Sequence, residues 1–264
     1  KSEFFDKNLT FIKADLSNFE SINKIIKKKS PNIVVHLGSS NPRTNVNLPN
    51  QNSNDLLIAK NLIDCCSTIL KFQKFIFLGS CAEYGDTNGK IFKENIVCKP
   101  KDLYGKSKLS ITNYLIYKNL INKFPYIVLR PSVVYGPNQP TGMFISDMVN
   151  KLNKREILQI KSGKQQRDFI FIDDLIKAII KTVKLPINQC NHIINISYGK
   201  SYQLNSIIKI FYKINKIKNN DIVKRKILKN EKIIYTYKVS NLKAKKILNW
   251  SPKISIYKGL KELV

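Results

Sequence analysis

Short apolar runs recur along this chain, each separated from the next by an amphipathic stretch. "LTFIKAD" (9–15), "NIVVHLG" (32–38), "KFIFLGS" (74–80) and "YIVLRPSVV" (126–134) read as strands. "FESINKIIKKK" (19–29), "NDLLIAKNLIDCCSTIL" (54–70) and the segment from Leu103 to Asn122 read as helices between them. Continuously apolar strands suit a sheet covered on both faces, and strand–helix–strand order makes that sheet parallel. The expected class is α/β, a doubly wound parallel sheet with helices on both sides.

After Gly136 the texture changes. Pro137 and Pro140 mark a loop. A helix (about 143–153), a short strand around Leu158, "RDFIFIDDLIKAIIKTV" (167–183), "HIINIS" (192–197), a helix near 203–213 and a Lys-rich segment follow. The expected division is a sheet domain over 1–136, with 167–200 returning to it, and a smaller mixed α/β lobe over 137–264.

Composition narrows the function classes. The chain has 264 residues, 43% of them hydrophobic, enough for one sizeable core. No run approaches the roughly 18 to 20 uncharged apolar residues of a membrane span. Five cysteines, an odd number without metal-ligand spacing, argue against disulfides or zinc. With only His36 and His192 as imidazoles, no metal is expected, and the thiols suggest a reducing, cytoplasmic compartment. The net charge of +28 raises nucleic acid as a partner. The lysines, however, are spread through the chain, without a basic stripe interleaved with aromatics. A solvated lysine surface accounts for them, and it would also favour an anionic substrate.

"DLYGKSKLS" (102–110) carries the chemistry. Tyr104 and Lys108, four apart, share one helix face. A neighbouring cation lowers a phenol's pKa, and such a phenol can exchange a proton with a carbinol or carbonyl oxygen. Alone, Tyr-x-x-x-Lys is weak in a chain rich in both residues. Upstream, "FIFLGSCAEYG" (75–85) ends a strand at Ser80, where a hydroxyl can meet a substrate oxygen beyond the strand's carboxyl end. Plain turn chemistry is the other reading of Ser80, and a solvated loop acid that of Glu83. "HLGSS" (36–40) offers small residues for close backbone approach. Asp15 either accepts from an adenine amine or caps the next helix.

Asp15-Leu16, "HLGSS", "GSCAEYG", "YGKSK", "LRPSVVYGP" (129–137) and "RDFIFIDDL" (167–175) occur in this order. Together they resemble the extended short-chain dehydrogenase/reductase family, in its NAD(P)-dependent nucleotide-sugar epimerase/dehydratase branch. The resemblance implies a Rossmann-like domain binding NAD or NADP and a nucleotide-sugar substrate. It makes Tyr104 the general acid/base and Lys108 the residue that tunes it and holds the nicotinamide ribose. Ser80 would orient the sugar oxygen. Asp15 and Leu16 would flank adenine, Leu37, Gly38 and Ser39 would line the cofactor, and Ser132 would approach the nicotinamide. Arg167 would clamp the pyrophosphate, with Asn138 a further substrate contact; pairing of Arg167 with Asp168 or Asp173 is its structural alternative. Relatives often dimerise through two long helices, here near 54–70 and 103–122.

Three departures from the family pattern bear on function. No G-x-x-G-x-x-G occurs, and the chain begins just before what would be strand three. The expectation is a piece of a longer product, lacking the first βαβ and part of the last helix, with weak activity by itself. Cys81 and Ala82 stand where dehydratases of the family place acids, with Glu83 one position late and facing away in an extended segment. Val133 replaces the Asn of the "RxxNxYGP" pattern. The resemblance thus points to an epimerase using transient hydride transfer at sugar C4, like UDP-glucose 4-epimerase. A 4-keto-6-deoxysugar reductase is the alternative, and a non-catalytic RNA- or anion-binding protein the reading from another class.

Overall fold

Phe75 and Phe77 of the strand Lys74–Leu78 turn to one side of a sheet and Ile76 to the other, so both faces of that strand are buried. The structure, a computed structural model, describes residues 8–39, 51–85, 89–160, 163–216, 223–225 and 237–264. The elements of the first part are α1 (Phe19–Lys29), β1 (Ile33–His36), α2 (Gln51–Cys66), β2 (Lys74–Leu78), α3 (Leu103–Asn122) and β3 (Tyr126–Pro131). Further on, β7 (His192–Ile196) joins them, giving a four-stranded parallel sheet in the order β1-β2-β3-β7. Ile22 and Ile26 of α1, Ala59 and Ile63 of α2, and Ile111 and Leu115 of α3 pack on the Phe75 face. The opposite face is covered by Leu175 and Ala178 of α5 (Ile172–Val183), Ala244 and Leu248 of α7 (Leu242–Leu248), and Trp250. The α/β architecture read from the sequence is the one observed.

Between β3 and β7 the chain builds a second layer. It contains β4 (Val133–Tyr135), α4 (Phe144–Asn153), β5 (Leu158–Ile160) and β6 (Gln166–Phe171). After β7 come β8 (Ser201–Gln203), α6 (Leu204–Asn215), β9 (Val223–Arg225) and, last, α8 (Ile256–Lys261). β4 runs parallel to β6, β6 antiparallel to β8, and β5 parallel to β9. Tyr135, Phe169, Phe171, Met148, Phe211 and Leu260 close this layer's own core.

Several expectations from the sequence need correction. Residues 126–134 form two strands in two sheets, not one. Pro131 has no N–H for the ladder, and the next amide, Ser132 N, bonds to the Ile196 carbonyl at 2.9 Å while β4 turns to pair with β6. Residues 9–15 form no strand, because among the described residues β1 pairs only with β2 and nothing offers 9–15 a ladder. Apolar alternation creates a face, but a strand also needs partners for its backbone groups. α2 stops at Cys66 instead of Leu70, since the Ser67 and Thr68 hydroxyls donate to the carbonyls of Ile63 (2.7 Å) and Cys65 (2.8 Å). α1 matches its expected span, but its cap is Asn18, whose Oδ1 accepts Ser21 N at 3.0 Å, rather than Asp15.

α3 lies on the sheet through Leu115, which has no exposed surface. Leu115→Ala is expected to cost about 2–5 kcal/mol in denaturant unfolding. Leu70→Ala, at a fully exposed site, should stay within about 0.5 kcal/mol; equal effects would contradict this packing.

Candidate active site

The carboxyl ends of β1, β2 and β3 and the first turns of α3 converge on one place. Ser80 leaves β2 and caps a 3-10 turn, Cys81–Tyr84, its Oγ accepting Ala82 N at 3.1 Å. Asp102 caps α3 by accepting Gly105 N at 2.7 Å. Gly105 lets the two meet: a Cβ there would come within 2.6 Å of the Ala82 carbonyl oxygen. The small residue after Tyr104 is therefore a packing requirement. It brings Tyr104 near enough to Ser80 for that hydroxyl to favour the phenolate.

Lys108 lies one turn further along α3, buried at 3% exposure. Its Nζ donates to the Leu78 carbonyl at 2.9 Å and sits 5.8 Å from the Tyr104 ring centroid and 4.9 Å from that of Phe77. Burial pushes Lys108 down to about 8, against partial support from Asp55 and Glu83. Burial also raises the Tyr104 phenol, the Ser80 hydroxyl lowers it, and the carboxylates of Glu83, Asp102 and Asp55 add to the rise. The net direction is upward, opposite to the lowering expected from helix spacing alone. Desolvation outweighs the benefit of a cation whose own charge is costly in the same place.

The remaining expected residues have mixed positions. Leu37, Gly38 and Ser39 are exposed beyond β1. Ser39 Oγ donates to Asp55 Oδ2 at 3.0 Å, a carboxylate that sequence reading missed. His36 is buried, stacks 5.7 Å from Phe77, and is held down to about 4 by burial and by Lys108. Asp15 is exposed and accepts from Ser17 N (2.9 Å) and Oγ (2.7 Å), while Asn61 Nδ2 ties the Leu16 carbonyl to α2 at 3.1 Å. Ser132 is buried and donates to Asp168 Oδ1 at 2.9 Å; Asp168 also accepts the amides of Tyr198 and Gly199. Arg167 stacks 4.4 Å from the Tyr237 ring centroid and donates to the Gln166 carbonyl, and Asn138 is exposed with φ 59°. These last two belong to the second layer: Arg167 lies on β6 beside Asp168, and Asn138 in the loop after β4.

Glu83 differs most from expectation. It is no solvated loop acid and does not lie in an extended segment: the 3-10 turn carries it inward to full burial, where it pairs with Arg130 at 2.7 Å. Two signals in the sequence could have shown this. "SCAE" fits a capping box, and Arg130 interrupts an apolar strand, where a buried guanidinium needs an acid.

A parallel sheet covered on both faces, with Ser80 beyond a strand end and Tyr104 and a buried Lys108 on the next helix, is a Rossmann-type fold of the short-chain dehydrogenase class. The model of the NAD dependent epimerase/dehydratase family matches residues 2–197, and the chain belongs to that family. A putative UDP-glucose 4-epimerase from Methanocaldococcus jannaschii is 28% identical over 269 residues, covering 96% of this chain and 82% of the relative. A UDP-glucuronate 4-epimerase from Thermodesulfobacterium geofontis is 28% identical over 271 residues, covering 98% and 79%. The structure of UDP-glucuronic acid 4-epimerase from Bacillus cereus, with UDP-glucuronic acid and NAD, matches at TM-score 0.83 and 25% identity, covering 96% of this chain and 79% of that one. UDP-glucose 4-epimerase from Thermotoga maritima shares the fold at TM-score 0.87, with 24% identity and coverage of 100% and 85%.

The low proton affinity of Lys108 has a sign that can be measured. Between about 8 and the ordinary 10.5, the unfolded chain keeps a proton that the folded chain has released, so stability rises with pH there. Wild type should therefore gain unfolding free energy over Lys108→Met across that window; parallel curves would contradict the buried ammonium.

Proposed function

We propose that this chain carries the proton-transfer site of a nucleotide-sugar 4-epimerase. The observation that carries this reading is the close approach of the turn that bears Ser80 to the first turn of α3, which presents Tyr104 beside the buried Lys108. Tyr104 takes the proton of the sugar C4 hydroxyl and returns it after the keto-sugar has turned. Ser80 holds the same oxygen. Ala82 N occupies an Oγ lone pair, which leaves the hydroxyl proton to donate.

The residues present fit the ribose side of NAD or NADP. An ammonium has three donors, and the Leu78 carbonyl takes one of Lys108's, so Lys108 can also hold ribose hydroxyls. The exposed Leu37–Gly38–Ser39 segment would line the cofactor, Asp15 and Leu16 would flank adenine, and Ser132 would stand toward the nicotinamide. The cofactor, when bound, supplies reversible hydride transfer at C4. Arg167, a bidentate donor, is assigned to the substrate pyrophosphate, and Asn138 to a further substrate contact. The two homologous 4-epimerases and the UDP-glucuronic acid complex support a UDP-sugar. Cys81 and Ala82 give no acid at the dehydratase positions. Self-association through α2 and α3 belongs to the same proposal; Leu57, Tyr117, Leu120 and Ile121 are exposed on these helices.

The test uses the full-length protein with NAD and UDP-glucose or UDP-glucuronic acid, following sugar products and the NADH absorbance band. The reading expects the C4 epimer without net cofactor consumption. Tyr104→Phe should lower turnover by about 10²–10⁴-fold with substrate binding retained. Stoichiometric NADH consumption would indicate the ketoreductase, and full activity of Tyr104→Phe would overturn the assignment.

A further inference from the structure

Three buried side chains meet beneath Ser80: Glu83 and Thr112 with no exposed surface and Arg130 with 2%. Glu83 Oε1 accepts the Ser80 amide at 2.9 Å. Its Oε2 accepts Thr112 Oγ1 at 2.9 Å, Arg130 Nε at 2.9 Å and Arg130 Nη2 at 2.7 Å. The three donor residues come from three elements: the turn after β2, α3, and β3. Thr112 follows Lys108 by one helical turn and Tyr104 by two. A single carboxylate thus ties the Ser80 backbone to the helix that presents the phenol and the ammonium.

Stability alone is a poor explanation for this arrangement. Burying an acid and a guanidinium costs solvation, and apolar residues of equal volume often hold a core as well or better. Apolar side chains cannot, however, accept donors along fixed directions. The surroundings are shaped to the carboxylate: a Cβ on Gly79 would collide with Glu83 Oε1. The guanidinium is itself fixed, lying 4.7 Å from the Tyr84 ring centroid, while the Tyr84 hydroxyl donates to Asn195 Oδ1 at 2.6 Å on β7.

We propose that Glu83, fixed by Arg130 and Thr112, is a positioning residue that sets the Ser80 hydroxyl against the Tyr104 phenol. This rests on the assignment of those two groups as the proton-transfer pair. The least disruptive test is Thr112→Val against Thr112→Ser in the full-length protein, assayed where circular dichroism shows both fully folded. Thr112→Val should lower kcat about ten- to a hundredfold with KM changed less than about twofold, and Thr112→Ser, which keeps the hydroxyl, should restore it. Wild-type kcat in Thr112→Val, or no recovery in Thr112→Ser, would overturn the proposal.

A second readout needs no turnover. Tyr104 is faced by Lys108 and by the carboxylates of Glu83, Asp102 and Asp55. Tyrosinate absorbance, taken as the difference from Tyr104→Phe, should titrate at higher pH in Thr112→Val than in wild type, because every charge stays in place while the Ser80 hydroxyl that favours phenolate is no longer held against the ring. An unmoved midpoint counts against the proposal. If wild type turns over no UDP-sugar, the functional reading fails, while this titration still judges the positioning of Tyr104 by Glu83.

Discussion

The placement of Tyr104 against Ser80 depends on two elements approaching closer than most side chains allow. α3 reaches the turn after β2 because Gly105 puts nothing between them. Glu83 then holds that turn from below, bonding Ser80 N on one oxygen and α3 and β3 on the other. The sheet supplies the platform, since the carboxyl ends of parallel strands are where a doubly wound fold leaves room for a ligand. Packing, capping and site geometry are thus one structure seen at three scales.

Burial does much of the electrostatic work. It raises the Tyr104 phenol above its ordinary 10.0 and lowers the Lys108 ammonium from 10.5 to about 8, so the two proton affinities move past each other and apart. A phenol in water and an ammonium in water would be a fixed acid and a fixed cation near neutral pH. Here both charged forms carry a desolvation cost, so the phenol holds its proton more tightly and the ammonium holds its own less tightly than in water. The neutral His36 behind Lys108 adds apolar stacking rather than a competing charge.

Much of this was legible in the residues, for reasons that differ by element. α1 could be bounded at both ends because Asn18 caps it and Ser30 ends it in the left-handed region at φ 42°. The i, i+4 placement of Tyr104 and Lys108 follows from helix geometry once the helix is accepted. Residues 9–15 misled because alternation reports a face but says nothing of a ladder partner. The break at Ser132 was hidden in an unbroken apolar run, where only Pro131 hinted that the ladder changes. The direction of the Tyr104 shift was beyond sequence spacing, since desolvation depends on how tightly α3 meets the turn after β2. Glu83 was misjudged for the same reason: its fate depends on a 3-10 turn that an extended reading of "GSCAEYG" cannot contain.

The central claim is that Tyr104 moves only a proton while the C4 hydrogen travels as hydride and returns to the same carbon. Incubating the full-length protein with NAD and a UDP-sugar deuterated at C4, in ordinary water, tests this directly. Epimer that retains deuterium at C4 is the predicted product. Epimer carrying solvent hydrogen at that carbon would contradict the account.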